Sequence, residues 1–182
     1  MRIESVSDLC ATITSGVTPK YLPFWGHTPR PDGTLGASCL SQWWPARFQL
    51  DGVEFATAEH YMMWRKALLF NDEQTAAEVV AAGHPSVAKK LGRKIANFDE
   101  DRWVAARFDI VAEGNAAKFG QDPALADYLR KTGERVLVEA SPVDRIWGNG
   151  LAADDPRTES PSQWLGLNLL GFALMRARAE LA

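Results

Sequence analysis

Within residues 57 to 70, TAEHYMMWRKALLF, a carboxylate at Glu59 and an amine at Lys66 are among the ionisable groups of a run that is apolar almost all round. Thr57 is a good N-cap and neither Gly nor Pro follows, so the segment is predicted to be a helix. At about 100° per residue, Glu59 and Lys66 share one stripe within roughly 20°, about 10 Å apart along the axis. Helical side chains lean toward the N-terminus, so Lys66 is expected to reach back toward Glu59. Tyr61, Met62, Met63, Trp64, Ala67, Leu68, Leu69 and Phe70 cover the rest of the circumference, which makes this a buried helix. Burying unpaired charge costs several kcal/mol. Two explanations stand: an interior ion pair, or a polar cleft that receives a substrate.

Three further stretches carry groups able to do chemistry. Asp144 lies on the loop leaving a predicted strand, and Trp147, Gly148 and Gly150 follow it. The glycines let backbone approach a ligand, which suits the edge of a site. The competing reading is that Asp144 pairs with Arg145 or caps a turn. Trp103, Arg107, Ile110 and Gly114 fall on one helical stripe, and together they could accept a ring and a phosphate. As a purely structural alternative, Trp103 would staple against Phe98 at the helix entry. Asn168 is the one polar side chain between Trp164 and Met175. It is expected to be buried and to need partners, either backbone groups or a ligand. His27, His60 and His84 show no metal-ligand spacing, so no metal site is predicted.

These groups must be held by elements that the sequence punctuates clearly. Helices are predicted over residues 4–14, 57–70, 72–82, 85–92, 99–120 and 123–131, each with a cap, a first-turn Pro or a Gly stop. A last helix is expected to begin at Ser160-Pro161. Phe48 to Phe55 around Asp51-Gly52 reads as a hairpin, and Arg135 to Ala140 as a strand beside it. Tyr21 to Trp25 is extended, and the Pro- and Gly-rich residues 26–36 form a surface loop. The fold expected is α+β: a predominantly α-helical single domain with a small antiparallel β-sheet.

The chain has 182 residues, 46% of them hydrophobic, enough for one well-buried core. A net charge of -3 supplies no basic field for non-specific nucleic-acid binding, though a local basic pocket for a phosphate is allowed. Two cysteines suggest no disulfide framework, and neither a signal peptide nor a membrane span is present, so a cytoplasmic protein with no membrane partner is expected. Seven Trp stand out. Most should fill the core, while one or two could stack on a base or a flavin-like ring.

The blocks EHYMMWRKALLF, LGRKIANFDEDRW, AAKFGQ, TGERVLVEASPVDRIWGNG and LGLNLLGFALMRAR, in this order, resemble the NADAR or YbiA-like family over about Phe24 to Leu181. On this resemblance the chain divides into an N-terminal extension, residues 1–20, and a NADAR-like N-glycosidase domain, residues 21–182. The resemblance implies hydrolysis of the bond between an aminopyrimidine of early riboflavin synthesis and its ribose phosphate. Its alternatives are removal of ADP-ribose from guanine in DNA or RNA, or non-catalytic binding of ADP-ribose or a nucleotide. The implied partner is a small nucleotide-like substrate, with ADP-ribosylated nucleic acid as the alternative, and no cofactor. Glu59, Trp103 and Asp144 match the family's essential residues, and Lys66 the lysine proposed to engage an opened sugar. Where the family usually has Ser-Asn, this chain has Ser41-Gln42.

These matches give each residue an expected role. Glu59 would act as acid/base, its pKa raised by apolar surroundings. Asp144 would orient water or the ribose hydroxyls, and Trp103 would stack on the heterocycle. Lys66 would bind phosphate, keep Glu59 ionised, or form an imine with an opened sugar. With Glu59, Asp144 and Lys66 as catalytic residues, Trp103, Arg107, Trp147 and Asn168 are the substrate-binding candidates.

Overall fold

A computed structural model of the chain describes residues 3–181. In chain order it contains α1 (Val6–Thr14), β1 (Tyr21–Phe24), β2 (Phe48–Leu50), β3 (Val53–Phe55), α2 (Ala58–Leu69) and α3 (Glu73–Ala81). These are followed by α4 (Pro85–Gly92), α5 (Glu100–Gly120), α6 (Pro123–Lys131), β4 (Val136–Glu139) and α7 (Leu169–Glu180). Short polar side chains set most helix starts. Ser5, Thr57, Asp72, Asp99 and Asp122 each accept a hydrogen bond from a first-turn amide of the helix that follows. The fold is the expected α+β type, mainly helical, with a small antiparallel sheet.

α5 forms the axis of the core and packs against both α2 and α7. Close approach at two crossings depends on missing side chains. A Cβ on Gly114 would lie 2.3 Å from the Tyr61 ring, and one on Gly92 would lie 2.0 Å from the Met63 sulfur. The hairpin β2–β3 turns on Asp51 and Gly52, both at positive φ, and pairs Phe48 with Phe55.

Two elements differ from their sequence-based expectation. β4 does not join the hairpin; it pairs in parallel with β1, Tyr21 opposite Val136 and Phe24 opposite Glu139. The hairpin's edge is instead held by α5, through Gln121, whose side chain bonds both the amide and the carbonyl of Gln49. The last helix also begins later than Ser160-Pro161. Those residues lead only into a 3-10 turn, Pro161–Gln163, and α7 starts after Asn168, which sits in the left-handed region at φ 51. The intervening chain is pinned elsewhere: the amides of Leu165 and Gly166 both donate to the Asn149 carbonyl.

Parallel pairing puts the C-terminal ends of β1 and β4 side by side, and Glu139 is the last residue of β4. At that edge the chain makes its tight loop through Asp144 and Trp147 into Gly148, where ligands commonly bind in α/β architectures.

Candidate active site

Glu59 lies in the first turn of α2 and is 2% exposed. Its placement depends on α5. Lys118, itself 1% exposed, donates to the carbonyls of Cys39 (2.7 Å) and Ser41 (2.9 Å). Asn115 donates to the Gln42 side-chain oxygen at 2.8 Å. The clamped segment then holds the helix: the Gln42 carbonyl accepts the Glu59 amide at 3.0 Å. Gln42, where the family usually carries Asn, is therefore a brace between α5 and the start of α2.

The Glu59 carboxyl has one oxygen, Oε1, that is buried without a hydrogen-bond partner. Burial raises its pKa from 4.5 to about 7; Lys89, the Trp43 indole and Arg93 oppose this, while Asp144 adds to it. Glu139 is in a similar state. Burial and then Asp144 push it up to about 8, Lys89 opposes, Glu59 adds, and its Oε2 is also buried and unpartnered. Three carboxyl groups thus feel one another around the Lys89 ammonium. In Glu59 and Glu139 burial favours the protonated form well beyond an ordinary carboxyl.

Asp144 combines the two readings its sequence left open. Its Oδ1 accepts the amides of Ile146 (2.9 Å) and Trp147 (2.8 Å), which caps the turn. The same carboxylate acts electrostatically on Glu59 and Glu139, so it belongs to their cluster. The turn has little room: a Cβ on Gly148 would meet the Glu139 carbonyl at 2.8 Å, and one on Gly166 the Gly148 carbonyl at 2.4 Å. Trp147 is half-buried on this turn, and its carbonyl accepts the Leu170 amide at the start of α7.

Lys66 does not reach Glu59. Its ammonium donates to the Gly92 carbonyl at 3.0 Å and lies over the rings of Phe98 (4.3 Å) and Trp103 (5.3 Å). The Met63–Gly92 contact brings the end of α4 onto α2, and the carbonyl there, at the negative end of a helix, outcompetes a carboxylate about two turns away. The interior Glu59–Lys66 ion pair is therefore not formed, and the cation that acts most strongly on Glu59 is Lys89 of α4. Burial lowers the Lys66 pKa, opposed by Glu100. Phe98 packs on Phe70, with ring centroids 5.2 Å apart, and Trp103 is 8% exposed beside Lys66.

Arg107, one turn beyond Trp103, is 8% exposed yet makes no hydrogen bond or ion pair among the described residues. Asn168 has a fully determined position: Nδ2 donates to the Leu137 carbonyl and Oδ1 accepts the Glu139 amide, both at 2.9 Å. Its amide is committed to the β4 backbone, not presented to a ligand, and it fixes the residue that carries the second acid.

The sequence reading had missed Glu139, Lys89 and Trp43. Glu139 shares a strand face with buried Leu137, so an acid at that register was a readable signal. Lys89 was less so, because a Lys-Lys pair near a helix C-terminus is ordinarily solvated. Trp43 lies between His27 and His84, at 5.4 and 5.9 Å, with Lys89 over its ring at 5.9 Å. Among the described residues no group of three or more His, Cys, Asp or Glu is arranged to hold a metal ion. No helix there is long and apolar enough to cross a membrane.

This mainly helical fold has known counterparts. The NADAR domain family matches residues 23–182, and the chain belongs to that family. Its relatives include an N-glycosidase of Acanthamoeba polyphaga mimivirus, 42% identical over 168 residues that span 90% of this chain and 97% of the relative. An N-glycosidase of Nostoc punctiforme is 31% identical, covering 79% of this chain and 85% of its own length. A riboflavin biosynthesis protein of Vibrio vulnificus is 27% identical over 95% of this chain and 42% of its own length. In fold, the chain is similar to the NMR structure of the E. coli protein YbiA, with a TM-score of 0.69 at 24% identity, covering 91% of this chain and 86% of the other.

Proposed function

We propose that the chain hydrolyses the N-glycosidic bond of an aminopyrimidine ribose phosphate, an early intermediate of riboflavin synthesis. The broader activity, hydrolysis of an N-glycosyl bond, is that of the N-glycosidases to which the chain is similar along most of its length. The narrower substrate is supported by relatives named as riboflavin biosynthesis proteins in Vibrio vulnificus, Zea mays and Arabidopsis thaliana. The observation that carries the reading is the Glu59–Glu139–Asp144 cluster, in which two buried carboxyls each leave an oxygen without a partner and burial favours their protonated forms.

Breaking a C–N glycosidic bond leaves positive charge on the sugar ring and an electron pair on the departing nitrogen. Glu59, whose protonated form is favoured by burial, gives its proton to the leaving base as the bond breaks. The resulting carboxylate is stabilised by Lys89 and the Trp43 indole, the groups that already favour its charged form. Asp144, with Oδ1 held by two amides, turns its other oxygen to a water, which adds to the anomeric carbon. The water's proton returns to the carboxyl cluster, restoring the starting state. Glu139 is the reserve proton of that cluster, and Trp103 supplies a face for the heterocycle. Arg107 is largely buried, and its guanidinium, without a partner among the described residues, is free to take the substrate phosphate. Lys66, its pKa lowered by burial, stands over the same indole, where it can meet phosphate or an opened sugar.

Incubating the pure protein with the pyrimidine ribotide and, separately, with ADP-ribosylated oligonucleotide tests the assignment. Release of free aminopyrimidine from the first alone is expected. Turnover of the oligonucleotide alone would move the assignment to the ADP-ribosyl-guanine reaction, and turnover of neither would leave a binding module.

A further inference from the structure

The opposite end of the β1–β4 pair, where the Val136 amide meets the Lys20 carbonyl, opens onto a groove of about 1070 Å³. Its walls are residues 17–20, the turn from α6 into β4, and the C-terminal half of α7. Five of the lining side chains, Lys20, Arg130, Arg135, Arg176 and Arg178, are cationic, against one acid, Glu134. In a chain of net charge -3 this is a strongly localised excess. We propose that this groove is a second, anion-binding site, which takes a small molecule carrying clustered phosphates and is separate from the Glu59–Glu139–Asp144 cluster.

Three of the four arginines are held in place by neutral groups, so their charges are not cancelled. Arg178 donates to the Thr132 hydroxyl (2.7 Å) and the Arg135 carbonyl (3.0 Å). Arg135 donates to the carbonyls of Thr132 (2.8 Å) and Lys131 (2.7 Å), and Arg130 to that of Leu181 (2.8 Å). Among the described residues of the groove, only Arg176 has carboxylate partners, Glu4 and Asp109. Orienting guanidinium groups through carbonyls while leaving the remaining N–H groups and the charge unmatched is the arrangement of a preformed anion receptor. Burial and the neighbouring Arg135 disfavour the charged form of Arg178 more than Glu134 favours it, a repulsion that a bound anion would relieve. Phosphate groups suit the groove because they concentrate charge on several acceptors. None of the lining side chains is aromatic, so the bases of a single strand would find nothing to stack on.

Calorimetric titration of the whole protein with tripolyphosphate at low salt tests this. The wild type should bind, and a Lys20→Gln/Arg130→Gln double variant, changed only at exposed positions, should bind at least about tenfold more weakly with ribotide hydrolysis unaltered. Arg135→Gln should lower affinity similarly. Three results would overturn the proposal: no binding by the wild type, binding unchanged in the groove variants but lost in Arg107→Gln, or tighter binding of a single-stranded oligonucleotide of equal charge. The second would locate the anion in the hydrolytic cleft, and the third would make the groove a nucleic-acid surface.

Discussion

Lys118 and Glu59 are both buried ionisable side chains, about as far from water as any in the protein, and they are joined through residues 39–42. Their surroundings differ in kind. Lys118 gives hydrogen bonds to two carbonyls and lies over the Phe119 ring at 4.7 Å, with no charged partner among its bonds. Glu59 has a buried oxygen with no partner and shares its space with two more carboxyls. A buried polar group whose bonds are complete fixes a structure, whereas one whose bonds are left open is available for chemistry. The first region is the brace and the second is what it braces.

Substitutions should separate the two. Glu139→Gln should lower kcat by roughly 10²–10⁴-fold, the range for a proton-transfer group, while the melting temperature stays at or above that of wild type, because a buried acid with an open valence is replaced by a neutral isostere. Steady-state kinetics beside a thermal melt would show it; an unchanged kcat would reduce Glu139 to a bystander. Lys118→Ala should do the reverse. It leaves two carbonyls without donors and a cavity, costing about 3 kcal/mol of stability, with activity falling only as residues 39–42 loosen. Chemical denaturation measures that loss, and a value under about 1 kcal/mol would contradict the bracing role.

A smaller effect concerns pH. Glu59 and Glu139 are raised from 4.5 to about 7 and about 8, so the folded protein keeps protons that the unfolded chain releases. Stability should therefore decline as pH rises from about 4.5 toward 8 and level off above that. Lys118, pushed down to about 7 by burial, contributes in the opposite sense at higher pH, so the slope is best read between about pH 5 and 7. A Glu59→Gln/Glu139→Gln double variant should show a flatter profile there. An identical slope would mean that neither acid is raised.

The sequence exposed these regions unequally. Local capping made most helices readable, since Thr57, Asp72, Asp99 and Asp122 each bond to the turn beside them. The parallel pairing of Tyr21–Phe24 with Val136–Glu139 was not readable, because no local feature specifies a partner more than a hundred residues away. Ser160-Pro161 has the composition of a helix start, but the Asn149 carbonyl captures the Leu165 and Gly166 amides and delays the helix to Leu169. Glu59 and Asp144 could be named as candidates from residue type and position. That Lys89, rather than Lys66, accompanies them depends on how α4 packs on α2, which helical periodicity within α2 does not contain. The Asn168 amide could be foreseen as buried and bonded, though not that it bonds β4 and thereby sets Glu139.

The central claim is that Glu59 supplies the proton on which bond cleavage depends. The most direct measurement is the single-turnover rate of aminopyrimidine release by wild type and Glu59→Gln, with ribotide binding measured on both. The account predicts a rate lower by at least about 10²-fold with affinity retained within a few-fold. A variant that releases the base at the wild-type rate would contradict it.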